Sequence, residues 1–313
     1  MKIKYISILM VSFILLSFSQ KNKKPKPLFD AKKLEKSMKF IHGRRLILDS
    51  KLDNKTMNVT HVYSDSIVPF YMSDHEVSNL EYRNFLTSIR ENDTLLYKKM
   101  LPDTSVWRGP LNYNEPFVTY YFRHPAYNDF PVVGISYEQS NAFCNWLTEN
   151  YSKTEKKKFS QVKFTLPTKN QWVSAAIGNN CYAGNTVNLM NNKGKWLANF
   201  MVFNQEGIIK DEGLGLRSIV GDSAYYETRY IATSSDNSGG FGTTPVFSYL
   251  PNENKIYNMR GNVEEFVLEK GISKGGSWKD PGYYLQNLSE ETYDTAKSAS
   301  AERGFRVAMN FIK

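Results

Sequence analysis

Four histidines and two cysteines are the side chains of this 313-residue chain with the chemistry to hold a transition metal or act as a soft nucleophile. Their spacing supports neither role. His42, His61, His75 and His124 include no pair at i, i+3 or i+4, the separations that put two imidazoles on one helix face. His124 stands between Arg123 and Pro125, a loop setting in which an imidazole hydrogen-bonds to nearby backbone. Cys144 lies in SNAFCNWL, an apolar helical pattern that reads as a buried thiol, and Cys181 in the loop-like GNNCYAGN. A bridge between them stays open, but two cysteines make no disulfide framework in a chain this long. The remaining concentration of chemistry is aromatic: Trp107, Tyr113, Phe117, Tyr120, Tyr121, Phe122, Tyr127 and Phe130 crowd one proline-punctuated stretch. They either staple a loop to the core or line a partner surface, with Trp107, Tyr113, Tyr120 and Tyr121 as its anchors.

Few regular elements are available to position these groups. The pattern predicts helices over Asn79–Ile89, Glu138–Tyr151 and Lys169–Ile177, with Ser78 and Thr168 as N-caps. Short strands are expected at 57–63, 132–135, 244–249 and 305–309. Between them run long stretches rich in Asn, Gly, Ser and Tyr. Loops of that length in a folded domain are functional or pinned by ions.

Composition and charge narrow the classes. With 41% apolar and 14% aromatic residues the chain closes a sizeable core. The net charge of +9 is not spread evenly: residues 1–45 carry 12 Lys/Arg against Asp30 and Glu35, leaving the rest near neutrality. A basic folded face tracking nucleic acid is therefore excluded, and no nucleic-acid partner is expected. Lys2 and Lys4 precede a 14-residue apolar run, Tyr5–Phe18, with Ser17 and Ser19 around its end. This is a signal-peptide pattern over 1–19, too short for the roughly 20 residues that span a bilayer. Export to the periplasm or an outer-membrane-associated place follows, with a mature start near Gln20. Ser19 and Gln20 stand where a lipoprotein carries its cysteine, so no lipidation is expected and membrane association runs through partners only. Residues 20–45, Lys-rich with Pro25 and Pro27, read as a solvated basic linker, and 46–313 as one domain.

An ordered series of motifs adds what composition cannot. FYMSDHEVSNLEYRNF (70–85), FPVVGISYEQSNAFCNWL (130–147), FTLPTKNQWVSAA (164–176), TPVFSYLPNENKIYNMRGNVEEF (244–266), KGGSW (274–278) and GFRVA (304–308) together resemble the formylglycine-generating enzyme, or sulfatase-modifying factor, family. The stretch 100–134 further resembles the gliding-motility lipoproteins K and J of Bacteroidetes, linked to type IX secretion. The resemblance implies an α+β fold of the formylglycine-generating enzyme type, a C-type-lectin-like variant with little regular secondary structure.

It also implies a chemistry to look for. Family enzymes oxidise a substrate cysteine with two copper-binding cysteines spaced GGS-x-x-C-x4-C, because soft thiolates hold Cu(I). Here those positions are Asp280 and Leu285, and neither replaces a thiolate, so no copper is expected. A family calcium loop of the form N-x-x-G-x-A/V-x-E is matched by Asn258, Gly261, Val263 and Glu265, with a capped turn as the metal-free alternative. A second calcium site is matched by Asn199 and Phe200, with Asp236 near its acid and Ser238 in strict register. Calcium is thus the expected cofactor. The function implied is a noncatalytic cell-envelope protein binding other envelope proteins, gliding or type IX secretion components among them. A metal-dependent oxidoreductase of the formylglycine-generating or nonheme-iron type, with Asp280 as acid or base, and a glycan or small-ligand binding module are the alternatives.

Overall fold

The computed structural model describes residues 27–52, 59–108, 114–179, 189–203, 231–233 and 242–312. The expected signal peptide, Tyr113, Cys181, Asp236 and Ser238 lie outside these residues.

The segment expected to be a linker enters the fold in its second half. Asp30 caps α1 (Ala31–Ser37) by accepting from the backbone N–H groups of Lys32 and Lys33, and β1 (Met38–Ile41) follows directly. β1 shows no apolar alternation because it is a four-residue edge strand whose buried residues are its two ends, Met38 and Ile41. β2 (Arg44–Leu52) and β3 (Val59–Ile67) form an antiparallel hairpin. β4 (Phe70–Ser73) then pairs with β1, and a four-stranded sheet of order β1-β4-β12-β5 is completed by β5 (Val162–Thr165) and β12 (Ala308–Phe311).

Three helices begin on reciprocal caps: α2 (Asn79–Arg90), α5 (Tyr137–Lys153) and α6 (Lys169–Ala176). The hydroxyls of Ser78, Ser136 and Thr168 each accept from the backbone three residues on, and Glu81, Gln139 and Gln171 return the bond. The short helices α3 (Thr94–Met100) and α4 (Glu115–Tyr120) lie between α2 and α5. A small hairpin pairs β6 (Met201–Phe203) with β7 (Ile231–Thr233). A second sheet of order β10-β9-β8-β11 contains β8 (Glu264–Phe266), β9 (Ile272–Lys274), β10 (Glu291–Thr292) and β11 (Arg303–Phe305), with β11 parallel to β8.

Two apolar layers cover the first sheet. Tyr82, Phe85, Phe143, Leu147, Phe164 and Met309 pack on one side with Phe266 and Phe305 of the second sheet, and Ile41, Phe70, Met72, Trp172 and Ala308 on the other. Residues 132–135 are not a strand. Val132 and Ile135 enter one cluster while Val133 enters another, so the chain there is turned to feed two cores. Nor do 244–249 form a strand; they are turns that hydrogen-bond to the loops of the site. The expected strand at 305–309 is split between β11 and β12, because Arg306 turns inward at the junction.

The aromatic stretch is core. Trp107 and Tyr121 are buried with Val133, Val263 and Ala301, and Tyr121 donates its hydroxyl hydrogen bond to the Pro131 carbonyl at 2.7 Å. Of the expected partner anchors, Tyr120 alone is exposed among the described residues. Cys144 is a buried free thiol whose pKa burial pushes far up, which suits packing rather than reaction.

Candidate functional site

β9 runs into the glycine pair, and sterics dictate it. Gly276 has φ +65°, and a Cβ there would meet Leu285 Cδ1 at 2.8 Å and the Tyr284 carbonyl carbon at 3.1 Å. Asp280 closes this turn, its Oδ2 accepting from the Ser277 N–H at 2.7 Å and from the Ser277 hydroxyl. Leu285 is fully buried against Ala198 and Phe200. The two positions that the family resemblance assigns to copper thiolates are thus a turn-capping carboxylate and a core leucine. Asp280 Oδ2 is engaged by the turn, so a free catalytic base is not what the geometry offers.

The second loop, Asn258 to Glu265, brings the first calcium set together beside Asn199. Gly261 sits at φ +70° because any Cβ would lie 2.1 Å from the Asn199 carbonyl oxygen. The Asn262 N–H donates to that same oxygen at 2.7 Å. The Asn262 amide donates to Glu76 Oε1 at 2.8 Å and accepts from the Thr244 N–H at 2.7 Å. The Asn258 amide donates to Glu76 Oε2 at 3.2 Å and to the Val246 carbonyl at 3.2 Å. Val263 faces away into the Trp107 cluster.

Glu265 is held from two directions. Arg306 donates from Nε to Oε2 and from Nη2 to Oε1, both at 2.6 Å, and Trp172 Nε1 donates to Oε2 at 2.8 Å. Arg306 is wholly buried and also reaches the carbonyls of Ser73, Tyr257 and Asn258. Burial opposes its charge, but Glu265 outweighs this and raises its pKa. Glu76, fully buried, is pushed up to about 7 by burial, an effect that Arg306 reduces and Glu265 increases. A divalent cation on Glu265 therefore competes with a guanidinium for the same oxygens. Asn199 differs: its amide nitrogen donates to the Gly242 carbonyl at 3.0 Å, while its buried Oδ1 has no donor among the described residues.

Two charged clusters escaped sequence reading, the first because its members meet only in the fold and the second because no motif marks it. On the parallel strands β8 and β11, Arg303 Nη2 pairs with Glu264 Oε1 at 2.5 Å, and the Ser273 hydroxyl donates to Glu264 Oε2. Among the described residues, Glu291 Oε1, Tyr293 Oη and Arg303 Nε are buried without hydrogen-bond partners. The Arg303 guanidinium lies over the Tyr293 ring, 4.4 Å from its centroid. Burial, with Glu264 and Asp280 adding to it, pushes Glu291 up to about 8. The second cluster is Asp74, His75 and Glu81, with His75 Nδ1 2.5 Å from Asp74 and Nε2 3.3 Å from Glu81. Burial opposes the imidazolium, but Glu81 and Asp74 raise it to about 9. A cleft of about 510 Å³ borders Asp74 and Tyr257 and is lined also by Lys39, Asn252 and Lys255.

Comparison with known proteins places this geometry. The family model for the sulfatase-modifying factor enzyme 1-like domain matches residues 29–311. The chain is 22% identical over 296 residues to the formylglycine-generating enzyme of Bos taurus, covering 79% of this chain and 67% of that protein. It is 22% identical over 292 residues to the formylglycine-generating enzyme of Mus musculus, covering 78% and 66%. The fold is similar to PvdO from Pseudomonas aeruginosa, with TM-score 0.54 and 15% identity over 88% of this chain and 94% of that one. Treponema denticola variable protein 1 gives 0.51 and 15% over 87% and 94%.

Proposed function

Since the chain belongs to the sulfatase-modifying factor enzyme 1-like family, we propose that it is a noncatalytic envelope protein, a structural or interaction component working with other envelope proteins. Gliding and type IX secretion machinery is the setting we favour. One observation carries the first part: Asp280 caps the Ser277 turn and Leu285 fills an apolar pocket, so neither position offers a thiolate to Cu(I). The resemblance of 100–134 to the gliding lipoproteins supports the setting. Because Trp107 and Tyr121 serve the core, that stretch shapes the domain more than it presents a surface. Export rests on the apolar run at Tyr5–Phe18.

Calcium belongs to the same reading as a structural ion. Asn199 supports it, since a buried amide oxygen without a donor suits a hard cation. At the Asn258–Glu265 loop the ion has to displace Arg306 from one oxygen of Glu265. Cross-linking in native cells, followed by deletion of the chain, tests the whole. Capture of a specific envelope protein together with a secretion or motility defect is the expected result; an intact phenotype with no partner overturns it.

A second reading, a small-ligand pocket, is favoured by the buried unpartnered atoms of Glu291, Tyr293 and Arg303. A ligand there raises the melting temperature of the wild type and not of Glu291→Ala. A ligand screen that moves neither protein rejects it.

A further inference from the structure

Four of the large apolar side chains that remain exposed lie toward one end of the first sheet. Phe40 on β1 is 41% exposed, Val68 just before β4 is 63%, and Phe311 and Ile312 at the end of β12 are 48% and 53%. The register explains the convergence. Phe40 stands opposite Tyr71, Tyr71 opposite Met309, and Phe311 opposite Val162, so the last turn-side residues of antiparallel neighbours share one end. The rings touch: Tyr71 lies 5.1 Å from Phe40, 4.9 Å from Phe159 and 6.0 Å from Phe311, and Phe159 lies 6.0 Å from Phe311. Scattered exposed apolar residues need no explanation, but a sheet end at which touching rings and further exposed apolar residues gather does.

Its surroundings are basic. Lys158 Nζ stands 5.1 Å over the Phe159 ring, and the Lys158 N–H donates to Glu35 Oε1 at 2.6 Å, which fixes α1 beside the tip. α1 exposes Lys32, Lys33 and Lys36, the end of α5 exposes Lys153, and the loop after it exposes Lys156 and Lys158. Of the acids on these two segments, Asp30 caps α1 and Glu35 is engaged by Lys158 and the Tyr151 hydroxyl, which leaves Glu155 exposed.

We infer that this tip docks the domain on an anionic phospholipid surface, with Phe40, Val68, Phe311 and Ile312 entering the headgroup boundary and the lysines binding lipid phosphates. Lysine is depleted in protein–protein interfaces, whereas it accumulates beside apolar tips at anionic membranes, where its stem lies along the apolar zone and its ammonium reaches the phosphates. Aromatic and aliphatic side chains at the rim of such a contact supply the insertion that charge alone lacks. The surface puts on the chain itself an association that the sequence assigns to partners alone.

The test is vesicle flotation with the protein isolated from its native source, its N-terminus read by mass spectrometry. Vesicles of phosphatidylcholine alone are compared with an equal mixture of phosphatidylcholine and phosphatidylglycerol. Flotation is expected with the anionic vesicles only and declines with added salt. Phe40→Ser with Phe311→Ser weakens partitioning about tenfold, because each ring loses the apolar burial it gains on insertion. Ile312→Ser, at the strand end, weakens it in the same direction without touching the sheet register. Lys156→Gln with Lys158→Gln reduces the salt-sensitive part, and unchanged melting temperatures show that these variants fold. Three results overturn the inference: no flotation of the wild type, equal flotation of wild type and Phe variants, or a wild-type dimer in sedimentation that the Phe variants lack, which assigns the tip to a second copy.

Discussion

Replacing Arg306 by Met removes the only cation beside Glu265 and leaves that carboxylate, 1% exposed, with Trp172 as its donor. It also takes hydrogen bonds from the carbonyls of Ser73, Tyr257 and Asn258. Breaking a buried ion pair from one side costs about 3–5 kcal/mol. A whole domain holds about 5–15 kcal/mol, so Arg306→Met is expected to remove about a fifth of the stability or more. Glu265→Leu strands the guanidinium and carries a similar loss. The double variant strands neither charge and should cost at least about 2 kcal/mol less than the two single losses added together. Urea unfolding followed by tryptophan fluorescence measures all three, with Trp172 in the network as the reporter. A loss under about 1 kcal/mol for Arg306→Met, or strict additivity in the double variant, refutes the view that this pair holds β8 to the β11–β12 junction.

Three further outcomes are expected. Glu291 at about 8 and His75 at about 9 both hold their protons more tightly folded than unfolded, so stability falls as pH rises from 4.5 to 8 through the first and from 6.5 to 9 through the second. Glu291→Gln flattens the lower part of that slope in melting curves, and an unchanged slope rejects the assignment. Chelator lowers the melting temperature of the native protein, as an ion bound only by the folded state adds about 2.7 kcal/mol at a hundredfold excess over Kd; Asn199→Ala abolishes the shift, and a wild type indifferent to chelator leaves the loops metal-free. Mass spectrometry of the native protein finds a mature start near Gln20, whereas retention of Met1 to Phe18 makes that segment an anchor.

The three longest helices, α2, α5 and α6, were legible because their signals are local, whereas α1, α3 and α4, of six or seven residues, are too short to show a period. Ser78 and Thr168 announce α2 and α6, and the apolar period from Glu138 announces α5, whose cap Ser136 lies two residues earlier. Of the strands, the one expected at 57–63 falls on β3 (Val59–Ile67), but the second sheet was hidden, since β8, β9 and β11 are three residues long and β8 and β11 are buried throughout, so no alternation marks them. β1 hid among lysines because Lys39, which pairs with Asp74, and the exposed Phe40 break the apolar pattern between its buried ends. In the site, motif spacing linked Asn258, Gly261 and Glu265 as one set and Asn199 as part of a second, and the fold sets Asn199 beside Gly261. It did not disclose that Glu265 is engaged by Arg306, 41 residues away, or that Glu264 meets Arg303 across a parallel pair. Those contacts are set by the register of β8 with β11.

The central claim is that the inherited copper chemistry is gone, and one assay addresses it directly. The chain, isolated from its native source, is incubated with Cu(I), oxygen and a sulfatase peptide carrying the substrate cysteine, and the peptide mass is followed. With Asp280 capping Ser277 and Leu285 buried, the mass stays that of the cysteine peptide. Copper-dependent conversion of that cysteine to formylglycine contradicts the account.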